Sequence, residues 1–142
     1  MEKLTAGRVF VGCTTSERRR LDRISTLMRF ESGAVIAGGR SRGPVFGVII
    51  EGSARLVEGG RVVARLSSGD HFGEAALLDR AGLGGGDDPL VVIDDDAWVA
   101  LSSGPELSGV LAAVPWLVDR LIESAANRIA SRAVIERTAT DA

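Results

Sequence analysis

The sequence predicts a mainly β domain, a small barrel or jelly roll with one helix before it and two after it. Three observations point there. Short apolar runs recur between turn residues from position 35 to position 101. The chain holds 18 glycines against 4 prolines, a balance expected of many tight turns. Helical periodicity is confined to the two ends. Short strands so closely punctuated suit a barrel or jelly roll better than a sheet with crossover helices. At 142 residues the chain is expected to form one domain, residues 1–142, with the barrel over about 30–102 and the final helices over about 103–136.

The first helix is expected over residues 14–29. Thr14 and Glu17 have capping-box spacing, which satisfies two backbone donors that a helix start leaves orphaned. Leu21, Ile24, Leu27 and Met28 then recur at helical intervals, and Arg18, Arg19, Arg20 and Arg23 lie mainly off that stripe, on a solvated face or a surface for an acidic partner. Periodicity stops at Gly33. Val35–Ile36 is a short apolar segment, and Val45–Ile50 reads as a strand covered on both faces and broken by Gly52. Ala54–Leu56 and Val62–Leu66 flank Gly59–Gly60 as a hairpin, with Ser68-Gly69-Asp70 as the next turn. Residues 80–89 read as a glycine-rich loop. Leu90–Ile93 and Ala97–Leu101 read as two more strands, separated by Asp94, Asp95 and Asp96. Ser103 and Glu106 repeat the capping-box spacing, with Pro105 in the first turn, where its missing donor costs little. A longer helix is expected from Trp116 to about Glu136, its apolar positions including Leu117, Leu121, Ile122, Ala125, Ile129 and Ala133. That stripe suits packing within the chain or, over residues 116–133, a homodimer interface.

Bulk properties narrow the function. Seventeen basic against nineteen acidic residues give a net charge of −2, which argues against direct, charge-driven nucleic-acid binding. The single cysteine, Cys13, permits no internal disulfide and no cysteine cluster, and reads as a small buried residue. A reducing cytoplasm is the simplest home for such a chain. No stretch approaches the roughly 18 apolar residues of a membrane span, and no signal-type apolar run follows the N-terminus. One histidine, His71, cannot build a multi-histidine metal site; it is expected to face solvent or flank a ligand. No catalytic constellation is present, so the chain is expected not to be an enzyme. A cupin-like enzyme on a similar jelly roll is disfavoured for the same reason. Trp98 and Trp116 read as packing residues.

The stretch EGSARLVEGGRVVARLSSGDHFGEAALLD, residues 51–79, resembles the middle of a cyclic nucleotide-binding domain. Gly52 and Gly69 fall where that family has turn glycines, and Phe72-Gly73-Glu74 matches the start of its phosphate-binding cassette. LMRFESGAVI upstream and the two helices downstream extend the resemblance over roughly residues 9–132. It implies an eight-stranded jelly-roll barrel with helices at both ends, and a non-catalytic regulatory or sensory role. The implied ligand is cyclic AMP or cyclic GMP, with the signal passed to an effector protein through the C-terminal helices. No segment follows the long helix that would supply the winged helix of bacterial relatives, so direct transcriptional control is not expected.

The resemblance also assigns roles. Phe72, Gly73, Glu74, Ala75 and Ala76 would form the ligand site, with Glu74 accepting from a ribose hydroxyl and backbone donors facing the cyclic phosphate. A structural use of Glu74, capping the short cassette helix, is the alternative. The family places an arginine about ten residues beyond that glutamate to pair with the phosphate. Here the register falls near Leu83, Gly84, Gly85 and Gly86, followed by Asp87 and Asp88. Arg80 is the nearest substitute, and Arg42 and Arg65 are less specific ones. A buried phosphodiester without a guanidinium loses its best compensation for lost hydration. The expected outcome is weak or lost cyclic nucleotide binding. The alternative function is a scaffold that dimerises through its C-terminal helix.

Overall fold

The computed structural model describes residues 3–38, 45–75 and 89–141, with side chains described as far as Arg128. Two 3-10 turns, Leu4–Ala6 and Arg8–Phe10, precede helix α1 (Thr15–Arg23). Six strands follow: β1 (Thr26–Phe30), β2 (Val35–Ala37), β3 (Val45–Glu58), β4 (Arg61–Leu66), β5 (His71–Phe72) and β6 (Leu90–Ser103). Helices α2 (Gly104–Leu111) and α3 (Pro115–Asp141) close the described chain.

Both expected caps form. Thr14 Oγ accepts from the Glu17 amide at 3.1 Å, and Glu17 accepts in return from the Thr14 amide at 2.8 Å. Ser103 Oγ accepts from the Glu106 amide at the start of α2. The first helix is shorter than its apolar periodicity predicts. The Ser25 hydroxyl donates to the Asp22 carbonyl just beyond α1, and Leu27 and Met28 belong to strand β1. Leu21 is the one fully buried member of that stripe in the helix.

The sheet corrects the expected barrel. β3 and β6, each of 14 residues, pair antiparallel along almost their whole length. β4 and β5 add to β3, while β1 and β2 add to β6, and each of these four pairs with one neighbour. No pairing among the described strands joins the free edges, so the six-stranded sheet is open rather than closed into a barrel. Nor is the domain mainly β: helices of 9, 8 and 27 residues balance strands of 5, 3, 14, 6, 2 and 14. It is a mixed α/β fold with one helix before the sheet and two after it.

The expected strand count fails at two places for one reason. Gly52 does not break β3; with φ at +98° it sits in an irregular stretch of ladder, and the strand runs on. Asp94, Asp95 and Asp96 likewise lie inside β6. Their carboxylates are met from neighbouring strands: Asp94 by Arg55, Asp95 by Ser53 at 2.8 Å and Asp96 by Arg29 at 3.2 Å. A charged triplet with cross-strand partners is compatible with a continuous strand whose bulged part faces water. Trp98 is a further correction. It is 41% exposed, directly opposite Arg29 and Glu51 on adjacent strands.

Alternation along β3 builds two cores. Phe46 and Val48 face the helices and pack with Leu21, Leu107, Leu117 and Leu121. Ile49, Ala54 and Leu56 face the other side, with Phe72, Ile93 and Val99. Each fully buried leucine contributes about 1.5–3 kcal/mol relative to exposure, so this layer is what fixes α2 and α3 on the sheet. Gly47, between the two cores, leaves room for the Phe72 ring: a Cβ there would stand 2.2 Å from Phe72 Cζ. Gly47→Ala is expected to destabilise by about 1–3 kcal/mol, as an overpacked core does, in a urea titration of the purified chain.

Candidate functional site

The site is built where β5 ends. His71 and Phe72 pair with Val48 and Gly47 of β3, which buries both rings. Gly73 then takes φ of +92° with its α-carbon against the Val45 carbonyl, at 2.0 Å from where a Cβ would stand. That approach requires glycine. Glu74 and Ala75 follow as the first residues of a helical turn. Four of the expected site residues, Phe72 through Ala75, are therefore contiguous in space. Phe72 belongs to the interior core. Ala76 and Arg80 lie outside the described residues, as do Arg42, Leu83 to Asp88 and residues 80–88 of the expected loop.

Glu74 is only 3% exposed, and its carboxylate meets the C-terminal helix. Arg128 Nη1 donates to Glu74 Oε1 at 2.6 Å and to Oε2 at 2.8 Å, and Arg128 Nη2 donates to the His71 carbonyl. A carboxylate so buried needs a charged, hydrogen-bonded partner, and this guanidinium supplies it. Ser124, one turn earlier on α3, lies 2.9 Å from His71 Nε2. β5, the cassette start and α3 are thereby joined in one polar network.

His71 corrects the expectation of a solvent-facing ring. It is buried at 8% exposure and stacked on Phe46 at 5.6 Å. Burial, with the positive charge of Arg128 added, pushes its pKa down to about 3, against a smaller opposing pull from Asp70. The ring is therefore neutral at physiological pH and serves as a hydrogen-bonding and packing group. Cys13 is buried as expected, and burial pushes its thiol above the ordinary range. Arg65, largely exposed near the base of the β3–β4 hairpin, stands 3.7 Å from Asp94 and pairs there.

Beside the network an open cleft of about 420 Å³ separates α3 from the Gly69–Asp70 turn. Arg8 bonds Asp70 and the Ser68 carbonyl on one side. Arg120 bonds the Val9 and Val11 carbonyls on the other, with its guanidinium 4.7 Å from the Trp116 ring. The N-terminal turns, the β4–β5 turn and α3 thus meet around the candidate site. Among the described residues no cluster of three metal-ligating side chains exists, and no helix is long and apolar enough to cross a membrane.

Arg128 and Ser124 were not among the expected site residues, although a signal for them exists. Leu117, Leu121, Ser124 and Arg128 follow one another at intervals of four, three and four residues, which places all four on one helix face. The face is apolar where it crosses the core and polar where it reaches Glu74.

No family model matches the chain. The cAMP-dependent protein kinase regulatory subunit of Mycosarcoma maydis is 34% identical to it over 77 residues, which is 51% of this chain and 15% of that protein. Among solved structures, the catabolite activator protein of Thermus thermophilus matches 93% of this chain and 62% of its own at a TM-score of 0.72 and 21% identity. The regulatory subunit of a cAMP-independent protein kinase A from Trypanosoma brucei matches 82% of this chain and 43% of its own, at a TM-score of 0.68 and 23% identity. The chain spans less than two thirds of the length of each. Its fold is similar to those of these solved structures, and over those 77 residues its sequence is similar to that of the kinase regulatory subunit.

Proposed function

We propose that this chain is a non-catalytic, cytoplasmic regulatory module in which cyclic nucleotide binding is weak or lost, and in which Glu74 serves chiefly to dock the C-terminal helix. The observation that carries the reading is the buried bond pair from Arg128 to both Glu74 oxygens. A ribose hydroxyl arriving at Glu74 would meet a carboxylate already engaged on both oxygens. A cyclic phosphate would meet backbone donors, but positions 83–88 hold no arginine. The missing guanidinium costs about 2–5 kcal/mol of affinity, a factor of roughly 30 to several thousand in dissociation constant. One of the similar structures supports this view. The cAMP-bound form of the Trypanosoma brucei regulatory subunit, from a cAMP-independent kinase, carries three substitutions, one of which introduces an arginine.

Restoring the charge tests the reading. Leu83→Arg, Gly84→Arg, Gly85→Arg and Gly86→Arg are each titrated calorimetrically with cyclic AMP and cyclic GMP. At least one is expected to tighten binding by about 30-fold or more over the natural chain. Four variants that all bind as the natural chain does would remove the missing arginine as the cause.

A second reading, an interaction module that dimerises through residues 116–133, has its own supporting observation. Leu117 and Leu121 are spent on the chain's own core, but Ile122 on the opposite face is 37% exposed beside charged neighbours.

A further inference from the structure

Helix α1 sorts its charges by face. Its two acids are engaged within the chain. Glu17, which also feels Arg20, closes the Thr14 cap, and Asp22 accepts from the Lys3 amide and from the amide and hydroxyl of Thr5. Arg18 donates to the Cys13 carbonyl, and Leu21 anchors the helix in the core. Arg19, Arg20 and Arg23 are left exposed, and among the described residues none of the three is held in a hydrogen bond or ion pair. Together with exposed Ser16 they fall within about 100° of arc, turned away from Leu21.

Solvation asks for polar side chains on such a face, not for charges of one sign. Arg23 lies one turn from both Arg19 and Arg20, and like charges at that spacing weaken a helix. Arg20 and Arg23, in the last turn, gain from the helix dipole, which lets the fold tolerate the strip without giving it a partner. Four arginines against two acids give α1 a net charge of +2, which leaves −4 on the rest of a chain whose total is −2. A basic strip is thus displayed on an acidic chain.

We propose that this face of α1 docks an acidic polypeptide segment of another protein, its carboxylates seated on Arg19, Arg20 and Arg23. A guanidinium fork matches a carboxylate in shape as well as charge. Arg19 and Arg23 stand about 6 Å apart along the helix axis, and acids at alternate positions of an extended segment recur about every 6.8 Å. The face carries no apolar side chain to enter a lipid interface, which membrane-surface helices require. Three guanidiniums on a chain of net charge −2 displace too few counterions for firm nucleic-acid binding. Exposed pairs contribute at most about fivefold each in affinity, so the docking is weak and salt-sensitive. It stands apart from the reading of Glu74: a nucleotide titration and a docking measurement fail independently.

Fluorescence anisotropy on the full chain tests it, with a labelled peptide of about eight residues bearing glutamate at alternate positions. At about 20 mM salt the dissociation constant is expected between roughly 10 μM and 1 mM, weakening at least about tenfold in 0.5 M salt. The same peptide with glutamine for glutamate is expected not to bind. Arg19→Gln with Arg20→Gln and Arg23→Gln is expected to weaken binding by about 10- to 100-fold. Arg29→Gln with Arg61→Gln and Arg65→Gln removes as much exposed charge elsewhere and is expected to change it less than about threefold. Ser16→Glu sets a carboxylate one turn from Arg19 and Arg20, and is expected to weaken docking while raising the melting temperature. Circular dichroism melts confirm that all three variants fold. Equal losses from the two arginine triples would overturn the proposal, as would no peptide binding at low salt. Tighter binding of phosphatidylserine vesicles or of a single-stranded oligonucleotide through the same three arginines would overturn it too.

Discussion

Arg128→Ala is expected to destabilise the chain by about 3 kcal/mol in urea denaturation, the largest effect of any single truncation on α3 outside its buried leucines. The cause is what the substitution leaves behind. Glu74, at 3% exposure, keeps a carboxylate whose two oxygens have lost their guanidinium, and the His71 carbonyl loses a donor. Arg128 itself is partly exposed, which holds the expected loss to the lower end for a broken buried pair. The double variant Glu74→Ala with Arg128→Ala distinguishes an interaction from a general weakening of the helix. The two losses are expected to be less than additive by about 1.5 kcal/mol or more, whereas additive losses would mean that the pair contributes nothing as a pair. Hydrogen exchange adds the location. Amides around Ser124 to Arg128 are expected to lose protection first, because this network holds the helix beyond its leucines.

The second large effect is on acid stability. The folded chain holds His71 at a pKa of about 3, while the unfolded chain titrates near 6.5. As pH falls below 6.5 the unfolded state takes up a proton that the folded state refuses, so stability falls with pH. Above 6.5 neither state is protonated there and the contribution is fully retained. The slope is about 1.4 kcal/mol per pH unit between roughly pH 6.5 and 3. The groups facing the ring are Arg128, Asp70 and Glu74, the last with Oε2 3.9 Å from His71 Nε2. His71→Gln keeps a polar partner for Ser124 and removes the titration. Its stability is expected to decline less steeply than the natural chain's from pH 6.5 to 4. Parallel declines would show that His71 is not the acid-sensitive group.

Much of the fold was legible because its signals are local. The Thr14–Glu17 and Ser103–Glu106 caps, the Gly59–Gly60 hairpin and the inward leucines of α3 all follow from residues a few positions apart. The errors came where tertiary pairing overrides a local break. Gly52 and Asp94–Asp96 look like strand ends in sequence, yet long strands run through them because partners across the sheet satisfy the backbone and the charges. That merging of short strands is also why a barrel was expected and an open sheet observed. At the site, Phe72-Gly73-Glu74 was legible as a motif, while the partner of its carboxylate lies 54 residues away on a helix. Only the polar pair Ser124 and Arg128, on a face that Leu117 and Leu121 mark as inward, carried a trace of it.

Whether the site at Glu74 serves a nucleotide is decided most directly by calorimetric titration of the natural chain with cyclic AMP and cyclic GMP, beside Glu74→Ala as control. The expected result is a dissociation constant weaker than about 10 μM for both nucleotides. Binding tighter than that, abolished in Glu74→Ala, would contradict the account, because it would show a carboxylate serving a ribose despite its bonds to Arg128.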